Sequence, residues 1–557
     1  MKLTGAEIIL ECLLEQGVDT VFGYPGGAVL NIYDALYKYS DKITHILTAH
    51  EQGASHAADG YARTTGKTGV VIATSGPGAT NLVTGLATAY MDSVPMVAIT
   101  GNVTTSLLGL DSFQEVDITG ITMPVTKHNY IVKDVNDLAD TIREAFYVAQ
   151  EGRKGPVLID IPKDVTANKC EFENKPVLEY FYEKSATVDE EIKKAVELIK
   201  ESERPFIYAG GGVCSCDATD EFRKFVNLVD APVSLSLMGQ CAFDNTDKRY
   251  TGMLGMHGTK TSSLALKECD LMIVLGSRFS DRVSCNASTF ATNTKILHID
   301  IDSAEINKNI RVTEKVVGNL SYVLREMNNR LKQQVHREWL EKVYAWKEEY
   351  PLDMKPIDEN AVMPDYVIKT LDKLTNGQAI ITTEVGQHQM WTAEFYDFRN
   401  PRSLATSGGL GTMGYGLGAS IGAKVGNPNK TVVNIAGDGS FYMNLNELST
   451  LAKFNIPVIE LVLNNEVLGM VRQWQRLFYG ERYSQTVLEK GTNFEMLGKA
   501  FGINAFTIKT KADVEPILKM AIELNEPVLI DCRIDRDLNV TPMVPAGHSV
   551  YEPILEI

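Results

Sequence analysis

The sequence lacks any uncharged apolar stretch that approaches the roughly 20 residues required to span a bilayer. Residues 1–23 form an amphipathic helical pattern with Glu7, Glu11 and Glu15 on its polar side. The same segment lacks the long apolar region and small-residue cleavage site of a signal peptide. We therefore predict a cytoplasmic protein with no membrane partner.

An excess of positive charge is also absent. The chain has 54 Lys and Arg residues against 71 Asp and Glu residues, which gives a formal net charge of −17. Nucleic acids and anionic membranes select basic surfaces, so we expect neither as a partner. A local positive pocket for a small anion remains compatible with this acidic total.

Cysteines are few and scattered. Among eight in 557 residues, Cys214 and Cys216 are the only close pair. A zinc site would need a second pair at a suitable spacing. We therefore interpret the cysteines as free thiols in a reducing compartment.

The sequence does contain a repeated alternation of apolar runs and helical patterns. Runs such as VPMVAITG, GPVLIDIP and KILHIDID are rich in Val and Ile, which is typical of buried strands. Their alternation with helices predicts an α/β fold of three doubly wound domains with mostly parallel central sheets. Polar stretches at 168–190 and near 360 look like linkers. The predicted domains are residues 1–168, 185–345 and 360–557.

Two apolar runs in the last third end on small or polar residues. TVVNIAGDGS carries Asp438 at its end, and IPVIELVLNN ends on Asn465, with a helical pattern between them. Open α/β sheets bind ligands at the carboxyl ends of their strands, so we expect both side chains in one crevice. A carboxylate, an amide oxygen and a backbone carbonyl, completed by phosphate oxygens, suit Mg²⁺. The alternative for each segment alone is a helix-capping Asp and an Asn-Asn turn.

A further glycine pattern is present in LATSGGLGTMGYGLG. Its residues Gly409, Gly411 and Gly414 match the G-x-G-x-x-G spacing of nicotinamide-binding sites, although the preceding NPRSLAT is a poor strand. A nicotinamide oxidoreductase is therefore one alternative function. A non-catalytic regulatory scaffold is another.

Gly-Asp-Gly at 437–439, followed by Asn-Asn at 464–465, resembles the signature of thiamine-diphosphate enzymes. Segments along the whole chain are similar to one family within them, the catalytic large subunits of acetohydroxyacid synthase (acetolactate synthase). These segments include VFGYPGGAVL, HEQGASHAADGYAR, SFQEVD, GPVLIDIPKDV, LGMHGT and LGMVRQWQ. The resemblance implies a pyrimidine-binding first domain, an FAD-binding central domain and a diphosphate- and Mg²⁺-binding last domain.

The resemblance also implies a reaction. Members decarboxylate pyruvate and condense the hydroxyethyl unit with pyruvate, giving 2-acetolactate, or with 2-ketobutyrate, giving 2-aceto-2-hydroxybutyrate, in valine, leucine and isoleucine biosynthesis. Implied partners are 2-keto acids and further copies of the chain, as a homodimer or a dimer of dimers with active sites between subunits. A small regulatory subunit is a further candidate partner. Another thiamine-diphosphate enzyme, such as pyruvate oxidase, is the alternative.

Five residues receive specific roles from the resemblance. Glu51 would bond the pyrimidine nitrogen N1′ of thiamine and favour the imino tautomer that takes the thiazolium proton. Arg282 would select the carboxylate of the second keto acid, with Trp474 as an apolar wall beside its alkyl group. Met413 would hold the cofactor bent, and the Gly411 backbone would bind its pyrimidine amine.

The remaining site residues follow from the same resemblance. Those around the substrate are Gly27, Phe113, Gln114, Lys163 and Met470. Those around thiamine diphosphate are Val385, Gly386, Gln387, His388, Gly437, Gly439, Ser440, Leu468, Gly469 and Met470, with Asp438, Asn465 and the Val467 carbonyl on Mg²⁺. Those around FAD are Arg153, Gly210, Gly211, Gly212, Met256, His257, Gly258, Thr259, Gly276, Arg278 and Asp300. For Met256 and Met470, ordinary core packing is the alternative.

Overall fold

The computed structural model describes residues 1–178, 185–356, 358–489 and 491–557. Three six-stranded sheets follow one another along the chain, and every strand pairing within them is parallel. This arrangement confirms the predicted α/β fold of three domains with parallel central sheets.

The first sheet and its helices lie within residues 2–171. The strands are β1 (Lys2–Thr4), β2 (Thr20–Tyr24), β3 (Thr44–Leu47), β4 (Gly69–Ala73), β5 (Met96–Asn102), β6 (His128–Ile131), β7 (Pro156–Pro162) and β8 (Lys169–Glu171). The helices are α1 (Gly5–Glu15), α2 (Leu30–Lys38), α3 (Glu51–Thr65), α4 (Pro77–Thr80), α5 (Val83–Asp92), α6 (Ile118–Thr122), α7 (Val135–Gln150) and α8 (Lys163–Ala167). The sheet order is β3-β2-β4-β5-β7-β6, and β1 pairs antiparallel with β8.

The second sheet follows at residues 205–317. Its strands are β9 (Pro205–Ala209), β10 (Val233–Leu235), β11 (Tyr250–Met253), β12 (Leu271–Leu275), β13 (Lys295–Asp300) and β14 (Glu314–Val317). Its helices are α9 (Ala186–Lys200), α10 (Gly212–Ser215), α11 (Thr219–Val229), α12 (Lys260–Glu268), α13 (Asp281–Ser284), α14 (Leu320–Arg330) and α15 (Arg337–Glu349). The order is β11-β10-β9-β12-β13-β14.

The third sheet lies at residues 380–533. Its strands are β15 (Ile380–Thr383), β16 (Leu404–Ala405), β17 (Val432–Gly437), β18 (Val458–Asn464), β19 (Asn504–Ile508) and β20 (Val528–Arg533). Its helices are α16 (Pro364–Thr375), α17 (Gln387–Phe395), α18 (Gly416–Gly426), α19 (Asp438–Phe441), α20 (Leu448–Phe454), α21 (Gly469–Phe478), α22 (Phe494–Ala500) and α23 (Lys511–Leu524). The order is β16-β15-β17-β18-β20-β19.

Both faces of each central strand are buried. In β4, Val70 and Ile72 join one apolar cluster, whereas Val71 and Ala73 join another on the opposite face. Successive side chains of a strand point to opposite faces, so a strand covered on both sides is apolar at most positions. The exceptions, such as Asp160 and Asn434, are hydrogen-bonded. This is why the strands are continuous Val- and Ile-rich runs in the sequence.

Helix α3 of the first domain packs closely against α18 of the third. A Cβ added to Gly60 would lie 2.6 Å from the carbonyl carbon of Ala419, and one added to Gly422 would lie 2.7 Å from that of Ala57. Both distances are well inside an ordinary carbon–carbon contact of about 3.5–4.0 Å. The two backbones therefore approach at glycines, and this contact fixes α3, which begins at Glu51, on the third domain.

The C-terminal tail crosses from the third domain to the second. The Gln473 side chain on α21 donates to the Val540 carbonyl and accepts from the Val540 amide, both at 2.9 Å. The Val544 amide donates to the Met256 carbonyl at 2.7 Å. Val550 is fully buried in the apolar core of the second domain. The tail thus ties α21 to the second domain.

The predicted linkers fall partly outside the described residues, because these exclude 179–184 and 357. The exact domain limits therefore remain a prediction. Across the described parts of the chain, no helix has both the length and the apolar character needed to cross a membrane.

Candidate active site

A cavity of about 1630 Å³ is lined by residues of all three domains. It lies beyond the carboxyl ends of β9, β12 and β13, the position where open α/β sheets bind ligands. Fifteen of the predicted site residues line it: Arg153, Gly210, Gly211, Gly212, Met256, His257, Gly276, Arg278, Arg282, Asp300, Val385, Gly386, Gly411, Met470 and Trp474. The structure thus brings the predicted flavin and acceptor residues into one space.

The other predicted residues do not line this cavity. Five belong to the first domain: Gly27, Glu51, Phe113, Gln114 and Lys163. The rest belong to the second and third domains: Gly258, Thr259, Gln387, His388, Met413, Gly437, Asp438, Gly439, Ser440, Asn465, Val467, Leu468 and Gly469. Within a single chain, the predicted site residues are therefore divided between those that line this cavity and those that do not.

Asp438 and Asn465 follow two adjacent strands, as the sequence predicts. Strands β17 and β18 pair in register, with Gly437 beside Leu463. The Asp438 side chain is buried, its Oδ1 has no hydrogen-bond partner among the described residues, and burial raises its pKa to about 7. A buried carboxylate without a partner is stabilised by a cation or a proton. This position therefore fits a metal ion.

The ligand set at this position is small. In the described ranges, no group of three or more His, Cys, Asp or Glu side chains is arranged to hold a metal ion. A cation beside Asp438 would depend on the amide oxygen of Asn465 and the carbonyl of the buried Val467. The Asn465 Oδ1 atom now accepts a 3.2 Å bond from the Val467 amide. Such a set suits Mg²⁺, which commonly takes one or two carboxylates together with phosphate oxygens.

The turn at 385–388 presents backbone to the cavity. Val385 and Gly386 line it, whereas the Gln387 amide points away and donates to Gln473 at 3.1 Å and to the Leu538 carbonyl at 2.9 Å. His388 is buried, its Nε2 has no hydrogen-bond partner in the part of the chain that the structure describes, and burial lowers its pKa to about 3. The imidazole is therefore neutral near pH 7.

Sequence reasoning missed Glu384, which directly follows β15. Its buried carboxylate accepts from the amides of Gly414 at 2.7 Å and Leu417 at 3.1 Å, and from the Ser440 hydroxyl at 2.7 Å. Burial raises its pKa to about 7. Glu384 thus fixes the glycine turn before α18. An acid directly after an apolar run, the signal that identified Asp438, was present here as well.

Glu51 is the first residue of α3, at a strand-to-helix turn. The Asn81 side chain donates to its Oε2 at 3.0 Å. Near Oε1 the chain has Gly78, whose added Cβ would lie 3.3 Å away. The carboxylate is thus held by one oxygen, and a glycine leaves room beside the other.

The remaining first-domain residues face outward or flank turns. Phe113 has 88% of its surface exposed, and Gln114 beside it is exposed with a φ of 58°. Gly27 is exposed, and an added Cβ there would meet no atom within 4 Å. Lys163 begins α8 and is half-buried. An apolar ring this exposed leaves apolar surface in contact with water in the isolated chain.

The end of the cavity that holds the predicted acceptor residues Arg282 and Trp474, here called the acceptor end, combines a cation with apolar groups. The Arg282 Nη1 atom lies 2.9 Å from the Met256 sulfur, and most of the guanidinium side chain is exposed. Trp474 on α21 contacts Phe478 edge to face at 5.8 Å between ring centroids. Guanidinium groups bind carboxylates in a bidentate manner, and an apolar wall accepts an alkyl group. This end is therefore suited to a small organic anion.

Two guanidinium groups, those of Arg153 and Arg278, line the end of the cavity that holds the predicted FAD residues, here called the flavin end. Arg153 donates to Glu305 at 2.9 Å and to the Ser93 hydroxyl at 2.8 Å, which links the first and second domains. Burial lowers the pKa of Arg278, and the charge of Arg153 lowers it further. Two neighbouring guanidinium groups fit a diphosphate, which would relieve their mutual repulsion.

The glycines at this end are also required by packing. A Cβ added to Gly210 would lie 2.8 Å from the Ser277 Cβ, and one added to Gly212 would lie 2.8 Å from the Gly276 Cα. Burial raises the pKa of Asp300, at the end of β13, to about 6. The turns after β9 and β12 therefore pack together in a way that only glycine permits.

The Gly409–Gly414 pattern has the wrong surroundings for a phosphate turn. The strand before it, β16, has two residues, and the amides of Gly408 and Gly409 donate to the Asp92 carboxylate at 3.1 and 2.7 Å. These amides are occupied by an anion of the chain itself. The structure thus argues against nicotinamide binding at Gly409–Gly414.

Three family models match the chain in order. They describe the thiamine pyrophosphate enzyme N-terminal TPP binding domain at residues 3–121, its central domain at 192–327 and its C-terminal TPP binding domain at 384–532. Each matched segment holds one of the three parallel sheets or most of its strands. The fold and the matches together define a thiamine-diphosphate enzyme.

Curated relatives refine this class. The acetolactate synthase large subunit of Porphyra purpurea is 44% identical over 559 residues, covering 98% of this chain and 94% of its own. The probable acetolactate synthase large subunit of Methanocaldococcus jannaschii is 46% identical over 569 residues, covering 99% and 96%. That of Haemophilus influenzae is 43% identical over 573 residues, covering 100% and 98%. The chain therefore belongs to the acetolactate synthase large-subunit family of thiamine-diphosphate-dependent enzymes.

Proposed function

We propose that the chain decarboxylates pyruvate and joins the remaining two-carbon unit to pyruvate or 2-ketobutyrate, in branched-chain amino-acid biosynthesis. Arg282 and Trp474 carry this proposal, because they place a carboxylate-binding cation and an apolar wall in one cavity. A second keto acid has both matching parts, a carboxylate and a short alkyl group. Members of the family named above provide the chemical precedent.

Thiamine diphosphate, when bound, supplies the electron sink for decarboxylation. The protein holds and orients it: we assign Asp438, Asn465 and the Val467 carbonyl to Mg²⁺ on its diphosphate. The unpartnered Oδ1 of Asp438 supports this metal position. The exposed backbone at Val385 and Gly386 lies at the cavity edge, where a diphosphate would be anchored.

Glu51 is assigned to proton transfer. Asn81 occupies Oε2, so Oε1 is the atom that remains to exchange a proton with the pyrimidine nitrogen N1′. A positioned carboxylate of this kind typically contributes 10²–10⁴-fold to rate. Met413 and Gly411, on the turn held by Glu384, would support the pyrimidine ring.

FAD is the proposed ligand of the second domain. Arg153, Arg278 and the glycine turn at 210–212 surround one end of the cavity, and their charge and small size support a dinucleotide there. A bound FAD would also exclude water from the neighbouring part of the cavity, where the keto acids would bind.

We propose that the active enzyme contains at least two copies of the chain, as a homodimer or a dimer of dimers. Glu51 and the exposed Phe113 do not line the cavity of their own chain, which supports completion of each site by a partner copy. Exposed Leu107, Leu110 and Met123 extend the apolar surface near Phe113 in the sequence. A small regulatory subunit remains a candidate partner. Eight free thiols support the cytoplasm as the compartment.

Product analysis tests the reaction. The chain is incubated with pyruvate, thiamine diphosphate, Mg²⁺ and FAD, with and without 2-ketobutyrate, while oxygen is monitored. We expect 2-acetolactate alone in the first case and a second product, 2-aceto-2-hydroxybutyrate, in the other. Oxygen consumption without either product would instead indicate a pyruvate oxidase.

Complementation tests the shared site. Glu51→Gln and Asp438→Asn chains are unfolded together, reassembled at equal amounts and assayed at a limiting Mg²⁺ concentration, at which each variant alone should be nearly inactive. Random pairing into symmetric dimers should restore about a quarter of wild-type activity, because half of the dimers carry one intact site. As a control, Asp438→Asn paired with Asn465→Ala should restore nothing. Absence of recovery in the first mixture would place both residues in a site of one chain.

A further inference from the structure

Two cysteines that are distant in sequence lie together at the junction of the second and third domains. The sulfur atoms of Cys214, on α10, and Cys241, in the helical turn Leu237–Ala242, are 3.4 Å apart. Cys241 is 4% exposed and packs with the apolar core of the third domain, and Cys214 is half-buried between the two cores. The geometry therefore presents two thiols in direct contact.

The surroundings of Cys241 favour its thiolate. Hydrogen bonding from the Cys214 thiol lowers the pKa of Cys241, and the backbone of Arg402, Ser403 and Leu404 lowers it further, against the opposing effect of burial. The thiolate is the form that attacks oxidants and disulfides. The sulfur atoms are 3.4 Å apart, so either thiol is placed to resolve a sulfenic acid formed on the other, and the lowered pKa favours Cys241 as the attacking sulfur.

We propose that Cys214 and Cys241 form a reversible disulfide when the enzyme meets a peroxide. The Cys241 sulfur attacks one oxygen of hydrogen peroxide, the O–O bond breaks, and the hydroxide that leaves is protonated to water. The Cys214 sulfur then attacks the resulting sulfenic acid, so that the S–S bond forms and the S–O bond breaks. The Cys214 proton leaves with the departing hydroxide as a second water. Two thiols are oxidised and one peroxide is reduced.

The disulfide would act on the cavity wall. A disulfide bond is about 2.05 Å long, so the two sulfur atoms must approach by about 1.4 Å from their present separation. Gly211 and Gly212 precede Cys214, and Leu237 and Met238 precede Cys241, and all four line the cavity. Oxidation therefore draws two wall segments together at the flavin end. This consequence rests on the proposed flavin site, whereas the disulfide itself does not.

Peptide mapping tests the disulfide. The full chain is treated with hydrogen peroxide without added cofactor, digested without reductant and analysed by mass spectrometry. We expect a linked Cys214–Cys241 peptide, the loss of two of the eight free thiols, and their recovery with dithiothreitol. A sulfinic acid at Cys241 without the linked peptide, or first oxidation at Cys216, would overturn the proposal.

Matched variants make the assignment specific. Cys214→Ser and Cys241→Ser should each abolish the linked peptide. Cys269→Ser is the control, because Cys269 is buried in the same domain and burial raises its thiol pKa to about 12. This control should form the Cys214–Cys241 link as the wild type does. A linked peptide that persists in Cys214→Ser would refute the pairing.

Flavin titration tests the effect on the cavity. FAD fluorescence quenching is measured before and after oxidation in the wild type, Cys214→Ser and Cys269→Ser. We expect oxidation to cause a loss of FAD affinity in the wild type and Cys269→Ser, and no change in Cys214→Ser. Unchanged affinity despite a mapped disulfide would overturn the coupling. If reduced wild type binds no FAD at all, the flavin site fails, and peptide mapping still decides the disulfide.

Discussion

Replacing Gly422 with alanine should disturb the contact between α3 and α18. The new Cβ would lie 2.7 Å from the Ala57 carbonyl carbon and 2.8 Å from the Tyr61 nitrogen, both of which are backbone atoms. An ordinary contact needs about 3.5–4.0 Å, so the helices must separate locally by about 1 Å. Overpacking of this kind typically costs about 1–3 kcal/mol.

Thermal unfolding measures this cost. At about 2–4 °C per kcal/mol for a domain of this size, the Tm of Gly422→Ala should fall by roughly 2–12 °C. Gly318→Ala is the matched control, because the nearest atom that its Cβ would meet is a methyl of the Val323 side chain at 3.3 Å, and it would meet no backbone within 4 Å. That variant should change the Tm much less, at the same scan rate.

The same substitution should reduce activity in excess of its effect on stability. Helix α3 begins at Glu51, so a displaced α3 moves the proposed proton-transfer group. Activity is measured well below the Tm of both variants. If Gly422→Ala unfolds at the wild-type temperature and retains full activity, the close approach of α3 and α18 is wrong.

Three further predictions concern the site. Asp438→Asn should raise the Mg²⁺ concentration needed for half-maximal activity, because the one negative ligand is lost; an unchanged Mg²⁺ titration would remove the ion from this position. Trp474→Leu should lower the preference for 2-ketobutyrate over pyruvate by up to ~1–3 kcal/mol, and Arg282→Ala should reduce ligation more than CO₂ release. The preference of Trp474→Leu is read from the ratio of the two products in a competition at fixed acceptor ratio, and the effect of Arg282→Ala from the product formed per CO₂ released. If neither ratio changes, both residues are excluded from the acceptor end. Burial raises the pKa of Glu384 from 4.5 to about 7, so the stability that its neutral form contributes is fully present below pH 4.5 and is lost as pH rises through 7. The Tm of Glu384→Gln should therefore fall less than the Tm of the wild type between about pH 5 and 8. Parallel curves of Tm against pH would show that Glu384 does not titrate in this range.

The three sheets were predictable because their strands are buried on both faces. A run such as KILHIDID keeps Ile296, Leu297 and Ile299 buried in β13, Lys295–Asp300, where His298 and Asp300 are buried polar exceptions. The adjacency of Asp438 and Asn465 was predictable for a related reason, since consecutive parallel strands tend to be neighbours. NPRSLAT, judged a poor strand, contains the two-residue β16. Local pattern and strand order thus predicted the fold and the adjacency of Asp438 and Asn465.

Non-local contacts were beyond the sequence pattern. The spacing of Cys214 and Cys216 drew attention to that pair, whereas the sulfur in contact with Cys214 belongs to Cys241, 27 residues away. The side-chain direction of Gln387 was equally hidden, because Gln473 and Leu538 hold it away from the cavity. Such contacts depend on how helices and strands that are distant in the sequence pack together. The short-range hydrophobic periodicity of a sequence does not reveal this packing.

The tail that ties α21 to the second domain has a consequence for synthesis on the ribosome. The Lys260 side chain bonds the carbonyl of Tyr551 across 291 residues. At about 5–20 residues per second, translation needs roughly 15–60 s to cover this interval. The second domain therefore emerges long before the tail that braces Met256 exists. The cavity wall at Met256 thus reaches its final form only after the tail has left the exit tunnel.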